Sequence, residues 1–256
     1  MADTADPLDG GGVRSVKSAE RTIALLEYLS AAESSRSLRE VTSDLAIPRA
    51  SAYALLMTLV RTGWVEHDDS GSRFRLGIRA LRAGAAYVEH DDVVQRAQPV
   101  MNDLSDQLGE TIHLARLDGH EIVYLATCIS RHSLAVVSRP GRRLPCWATG
   151  LGKAILAGRP WGEVDALLPA TLAARTEHTI TDRTALREEL TEIGRRGNAV
   201  DEQESTLGLR CFAVPLDFGG AVNEALSCSI PIVRLDTARE KVIVDALARA
   251  RERIIH

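Results

Sequence analysis

The segment from Ser37 to Leu76 constrains the fold more than any other part of the chain. It opens with "SLRE", in which Ser37 is followed three residues later by Glu40. At that spacing the Ser hydroxyl and the Glu carboxylate satisfy backbone N–H groups left free at a helix start. Leu38, Val41 and Leu45 supply the apolar face of a short helix. The chain turns through "AIP", and Pro48 suits the first position of a following helix, where its missing N–H costs nothing. Ala52, Leu55, Leu56 and Leu59 then recur at helical spacing and are expected to be buried. Gly63 is placed to stop that helix. "WVEHDDSGSRFRLG" reads as two strands joined by the "DDSG" turn, with Phe74 and Leu76 on the return strand. An earlier helix over Ser18–Ser30 puts Ile23, Leu26 and Leu29 on one face. Helix, helix, turn, helix, hairpin is the order of a winged helix-turn-helix.

In such a module the first residues of the helix after the turn meet base edges in the major groove. Its exposed positions are expected at Arg49, Ala50, Ser51, Tyr53, Ala54 and Met57. Arg49 suits guanine or phosphate, Ser51 a base or a phosphate, and Tyr53 a phosphate or sugar. Arg73 and Arg75 flank Phe74 and so point away from the face that Phe74 buries. The competing reading is a three-helix core with an indifferent surface, and the basic wing favours DNA. Charge distribution agrees mildly. Residues 13–89 hold 11 Lys and Arg against 9 Asp and Glu, a net +2, within a chain of net −4.

Past this module, Ile78 to about Gln107 reads as helical, with interruptions expected near "EHDD" and at Pro99. The periodicity then changes. "TIHLARL" and "EIVYLATC" form a hairpin turning at Asp118–Gly119, and "SLAVVSR" reads as a strand. "ATGLGKAILAG" is a short helix with small residues at its start. Asp182 caps a helix that ends before Gly197. "RCFAVPLDF" and "NEALSCS" form a hairpin around Gly219–Gly220, and a helix from about Asp236 closes the chain. Hairpins mixed with helices indicate an α+β domain with a mainly antiparallel sheet. The expected division is a disordered tail over 1–12, a winged helix-turn-helix over 13–76, a linker helix over 77–95 and a second domain over 96–256.

Several chemistries are disfavoured by the residues themselves. "TGLGKA" is not a phosphate-hydrolysing loop, because Trp147 stands where the first glycine is needed and Ala154 where Ser or Thr is needed. Backbone N–H groups at Gly150 and Leu151 remain suited to a carboxylate, or else mark a close packing turn. Asp201, Glu202 and Glu204 read as a solvated strand edge, and Cys211 as a structural thiol. His113, His120, His132 and His178 lack metal-ligand spacing, so no metal or other cofactor is expected. Four cysteines without C-x-x-C pairs, and an acidic N-terminus unlike a secretory leader, make a cytoplasmic protein with reduced thiols the expectation. No apolar run reaches membrane-helix length.

From about Val13 to its end the chain resembles the IclR family of bacterial transcriptional regulators. "SVKSAERTIALLEYL", "LREVTSDLAIPRASAYALLMTLVRTGWVE" and "GSRFRLG" look like that family's first helix, helix-turn-helix and wing. "RPGRRLPCWATGLGKAILA" is similar to a block in its second half, and the spacing from Gly197 through Asp201, Glu204 and Cys211 to Ala213 is similar to its signature. The resemblance implies a winged helix joined by a linker helix to a GAF-like effector-binding domain. It implies ligand-controlled transcription, a homodimer or dimer of dimers, and double-stranded DNA bearing a palindromic operator. It implies a small-molecule effector, an organic, aromatic or sugar acid, held by Gly150, Leu151, Asp201, Leu209, Cys211, Ser227 and Ser229. Ala50 and Ala54 depart from the family's usual Ser or Thr and basic residue, leaving methyl groups suited to thymine methyls. Trp147 and Phe212 are further departures. The alternatives from other classes are a small-molecule enzyme using Asp201, Cys211 and Lys153, with the helical module for assembly only, and a ligand-free interaction protein.

Overall fold

The computed structural model describes residues 15–132 and 138–256. The expected tail and most of the strand expected over "SLAVVSR" lie outside them; Ser138 and Arg139, its last two residues, are described and are not in a strand. The chain divides between Tyr87 and Val88 into two compact units.

The first unit contains α1 (Lys17–Ala31), β1 (Arg36–Ser37), α2 (Leu38–Asp44), α3 (Arg49–Arg61), β2 (Val65–His67) and β3 (Arg73–Leu76). The Ser37–Glu40 capping box forms as expected, and the Ser37 amide and hydroxyl hold the Glu40 carboxyl down at about 2. Ala46 adopts a left-handed φ of 50° just after α2, where the chain turns toward α3. Pro48 is the N-cap of α3 rather than its first residue. Ala52, Leu56 and Leu59 of α3 are buried with Leu25, Leu29, Val41, Ile47, Val65 and Phe74, while Leu55 is half-buried at the margin. Ile23 lies outside this core, 58% exposed, because α1 turns Leu25 and Leu29 inward instead. The wing gains a strand that the sequence reading lacked. β1 pairs with β3, giving a three-stranded sheet in the order β1-β3-β2.

α4 (Ile78–Glu89) follows, with no buried residue, and then α5 (Asp92–Leu108). The break falls at "EHDD" as expected, and Asp91 caps α5 by accepting from the amides of Val93 and Val94. The linker expected over 77–95 therefore runs into the first turn of α5, whose buried Val94 already belongs to the core of the second unit. Pro99 does not interrupt α5. Gln95, the residue whose carbonyl loses its partner, lies on the exposed face with Pro99, so that carbonyl stays open to solvent.

The second unit is built on β4 (Thr111–Asp118), β5 (Glu121–Cys128), β6 (Arg143–Pro145), β7 (Ala199–Glu202), β8 (Leu209–Leu216) and β9 (Glu224–Pro231). They form one antiparallel sheet in the order β6-β5-β4-β9-β8-β7. On one face α5 and α9 (Thr237–Ile255) pack over Ile112, Leu114, Phe212, Val214, Leu226, Cys228 and Ile230. The other face carries α6 (Gly150–Ala157), α7 (Trp161–Leu167) and α8 (Arg183–Arg196). β6 and α7 were not expected. The capped start of α8 at Asp182 and its stop at a left-handed Gly197 were.

Candidate functional site

Alternation along strands decides which residues share a face. The pairing register then lines up two rows across the sheet. Asp201, Cys211, Ser229 and Thr111 are consecutive cross-strand partners in β7, β8, β9 and β4. Ala199, Ala213, Ser227, His113 and Thr127 form the neighbouring row, ending in β5. The same strands give the opposite face an apolar centre of Ile112, Leu114, Phe212, Val214, Leu226, Cys228 and Ile230, with ion-paired Arg210 and Arg116 toward its margins. A buried patch of hydroxyl, imidazole, thiol and carboxylate groups thus lies on the α6 side.

The start of α6 covers this patch. Thr149 caps the helix, accepting from the Gly152 amide at 3.0 Å. Gly150 and Leu151 are the first helical residues, and their N–H groups have no acceptor within the helix. A side-chain carbon on Gly150 would lie 3.2 Å from the Cys211 carbonyl oxygen and 3.5 Å from the Asp201 nitrogen. One on Gly152 would collide with the Cys146 carbonyl at 2.1 Å, so glycine there is a packing requirement. Asp201, Cys211, Ser227, Ser229, Gly150 and Leu151 therefore converge, and Leu209 shares the Cys211 face at the end of β8.

Burial sets the chemistry of these groups. His113 is driven down to about 3 by desolvation, helped by the nearby charge of Arg142, so its ring is neutral, with Nδ1 3.0 Å from Thr127 Oγ1. The Tyr124 ring meets it edge-on at 5.0 Å, and burial raises the Tyr124 phenol. Cys211 lies 3.1 Å from Ser229 Oγ; desolvation, then the Asp201 charge, pushes its thiol well above the usual range. A nucleophilic cysteine needs its thiolate, so this thiol is not poised for attack. Among the described residues Ser227 Oγ is buried without a hydrogen-bond partner.

The acidic run is not a solvated edge. Asp201 is 1% exposed and Glu204 4%; only Glu202 faces solvent. Asp201 accepts from the amides of Glu204 and Ser205 and from the Ser205 hydroxyl, while burial pushes its carboxyl up. Gln203 takes a left-handed φ of 61°, and the next residue, Glu204, ion-pairs with Lys153 of α6, itself 1% exposed. Glu189 of α8 stands 3.8 Å from the same ammonium. A groove of about 770 Å³ opens beside this pair, bordered by Val200 and Arg210. None of the converging sheet residues lines it, since Val200 points to the opposite side of β7 from Asp201.

Sequence reasoning missed His113, Thr127, Tyr124 and the Lys153–Glu204 pair. The signal for His113 was present: Thr111 and His113 alternate with Ile112 and Leu114 in "TIHL". Nothing local joins Lys153 to Glu204, which lie on different elements.

In the first unit, α3 exposes Arg49, Ala50, Tyr53, Ala54 and Met57, while Ser51 is half-buried. The wing arginines are less available than alternation suggested. Arg73 donates to the Ser35 hydroxyl at 3.0 Å and to its carbonyl, and lies 3.8 Å from Glu40, because β1 draws β3 against that loop. Arg75 pairs with Glu66 on β2 at 3.1 Å and stays exposed. Among the described residues no helix is long and apolar enough to cross a membrane, and no cluster of His, Cys, Asp or Glu fits a metal.

Residues 85–256 match the family described as bacterial transcriptional regulator IclR C-terminal, and residues 18–69 match the IclR helix-turn-helix domain. The chain belongs to the IclR family. The regulator BhcR of Paracoccus denitrificans is 32% identical over 94% of this chain and 86% of its own length. KdgR of Escherichia coli is 33% identical over 94% and 92%. Both are HTH-type transcriptional regulators. The crystal structure of an IclR transcriptional regulator from Alicyclobacillus acidocaldarius superposes with a TM-score of 0.85 over 94% of this chain and 98% of that one, at 23% identity, and shares its fold. As an IclR protein the chain is a DNA-binding transcriptional regulator, which sets aside the enzyme alternative.

Proposed function

We propose that this IclR regulator senses a small organic acid on the polar sheet face under α6 and, in response, changes its grip on a palindromic operator. The observation that carries this reading is the convergence of Asp201, Cys211, Ser227 and Ser229 beneath the free end of a helix. The Gly150 and Leu151 amides suit a carboxylate. Unpartnered Ser227 and neutral His113 supply hydrogen-bonding groups for the rest of a small polar molecule, and Asp201 accepts from a ligand hydroxyl. Leu209 closes the β8 end. On the DNA side Arg49, Ser51, Tyr53 and Met57 of α3 face the major groove, with Arg73 and Arg75 on the wing near the backbone. The chain works as a homodimer or dimer of dimers in the cytoplasm; the exposed Ile78 and Leu81 of α4 support a partner helix there.

Two measurements test this. A thermal-shift screen of small organic, aromatic and sugar acids is expected to give a saturable rise in Tm that Ser227→Ala and Asp201→Asn both reduce. Anisotropy with DNA from the gene's own promoter should show tighter binding than random duplex across salt concentrations, weakened by Arg49→Ala. No stabilising acid refutes the sensor; equal affinity for both duplexes refutes specific binding at that promoter.

A further inference from the structure

The reading surface of α3 has few hydrogen-bonding groups between its ends, only the Tyr53 hydroxyl and the half-buried Ser51. Ala50, Tyr53, Ala54 and Met57 follow one another at i, i+3, i+4 and i+7 on the side opposite the buried Ala52, Leu56 and Leu59. All four are exposed, Tyr53 at 53%. Thr58, the next polar residue on this side, turns its hydroxyl back onto the Ala54 carbonyl at 2.8 Å. Arg49 and Arg61 stand only at the two ends of the helix. The wing offers no substitute, since Arg73 and Arg75 are engaged with Ser35 and Glu66.

An apolar surface pressed on base edges discriminates in both directions. Guanine, cytosine and adenine present donors or acceptors in the major groove that lose water and gain nothing against a methyl group. Thymine also exposes its O4 acceptor but adds a 5-methyl group, which gains from burial. We infer that Ala50, Ala54 and Met57 read thymine methyl groups, so each operator half-site carries a thymine-containing step at its centre, flanked by positions within reach of Arg49 and Arg61. The inference rests on the proposed placement of α3 in the major groove.

The test uses the full-length chain. Duplexes are selected from a random pool, and each selected thymine is then replaced singly by deoxyuridine, which removes only the methyl group. Thymines are expected at the half-site centre, and replacement there should weaken binding about fourfold per methyl. Met57→Ala should abolish the penalty at one thymine and keep it at the others; a change in DNA stiffness would persist in the variant. Selected sequences without central thymines, or deoxyuridine duplexes bound as tightly as the parents, overturn the inference and leave specific DNA binding standing. Failure to select any sequence overturns both.

Discussion

The two faces of the six-stranded sheet are made by the same strands and serve different ends. The face toward α5 and α9 has an apolar centre containing Leu114, Phe212, Leu226 and Cys228, with the charged Arg210 and Arg116 ion-paired at its margins. The face toward α6 is equally buried yet contains His113, Ser227, Ser229 and Asp201. Desolvated polar groups cost free energy when their bonds are incomplete. Apolar residues of similar size would hold α6 to the sheet more firmly. The comparison separates residues that keep the unit folded from residues that the fold carries at a cost.

The largest effect is expected on the apolar face. Phe212→Ala should lower unfolding free energy by about 3–5 kcal/mol in urea titration, the usual cost of an aromatic cavity. A loss under about 1 kcal/mol would break the claim that this face carries the stability. Next comes the buried ion pair behind the polar face. Lys153→Met leaves the Glu204 carboxylate without its partner and should cost about 3 kcal/mol, most of it regained in Lys153→Met with Glu204→Leu. A double variant no better than the single one would show that the pair does not act as a unit.

His113 gives an effect that is small per pH unit and has a defined sign. Its folded pKa, about 3, lies below the ordinary value of 6.5. Between those values the unfolded chain binds a proton that the folded chain refuses, so stability present above pH 6.5 is lost as pH falls toward 3. The stability difference between wild type and His113→Gln should shrink by up to about 1.4 kcal/mol per pH unit across that window. A difference independent of pH would mean that the imidazole is solvated. The smallest effect belongs to Ser227→Ala. Its Oγ has no partner to lose, so stability should stay within about 1 kcal/mol of wild type while ligand-induced stabilisation falls. A large loss would place Ser227 with the structural residues.

Much of this was legible in the sequence, for reasons that differ by element. The helix-turn-helix was readable because its signals are local: a capping box, an N-terminal proline, an apolar stripe. The hairpins and the capped α8 were readable for the same reason. What escaped depends on pairing between distant segments. β1 is two residues long and exists only because β3 lies beside it. Asp201 and Glu204 look like a charged surface edge until α6 is laid across them and Lys153 meets Glu204. Pro99 signalled a break because its lost hydrogen bond is costly, and only its exposed position cancels that cost. The Asp201, Cys211, Ser227 and Ser229 set came from family resemblance, whereas strand alternation alone would have added His113.

Arg116, near the end of β4, contacts Glu224 of β9 at 2.6 Å and Asp91 at 2.6 Å. β4 and β9 are also the strands that present His113 and Ser227. Asp91 is the residue that caps α5, two residues past the end of α4. In mechanical terms the guanidinium is a pivot shared by two strands and one helix start. It ties both strands to the start of α5 through two short, directional ion pairs.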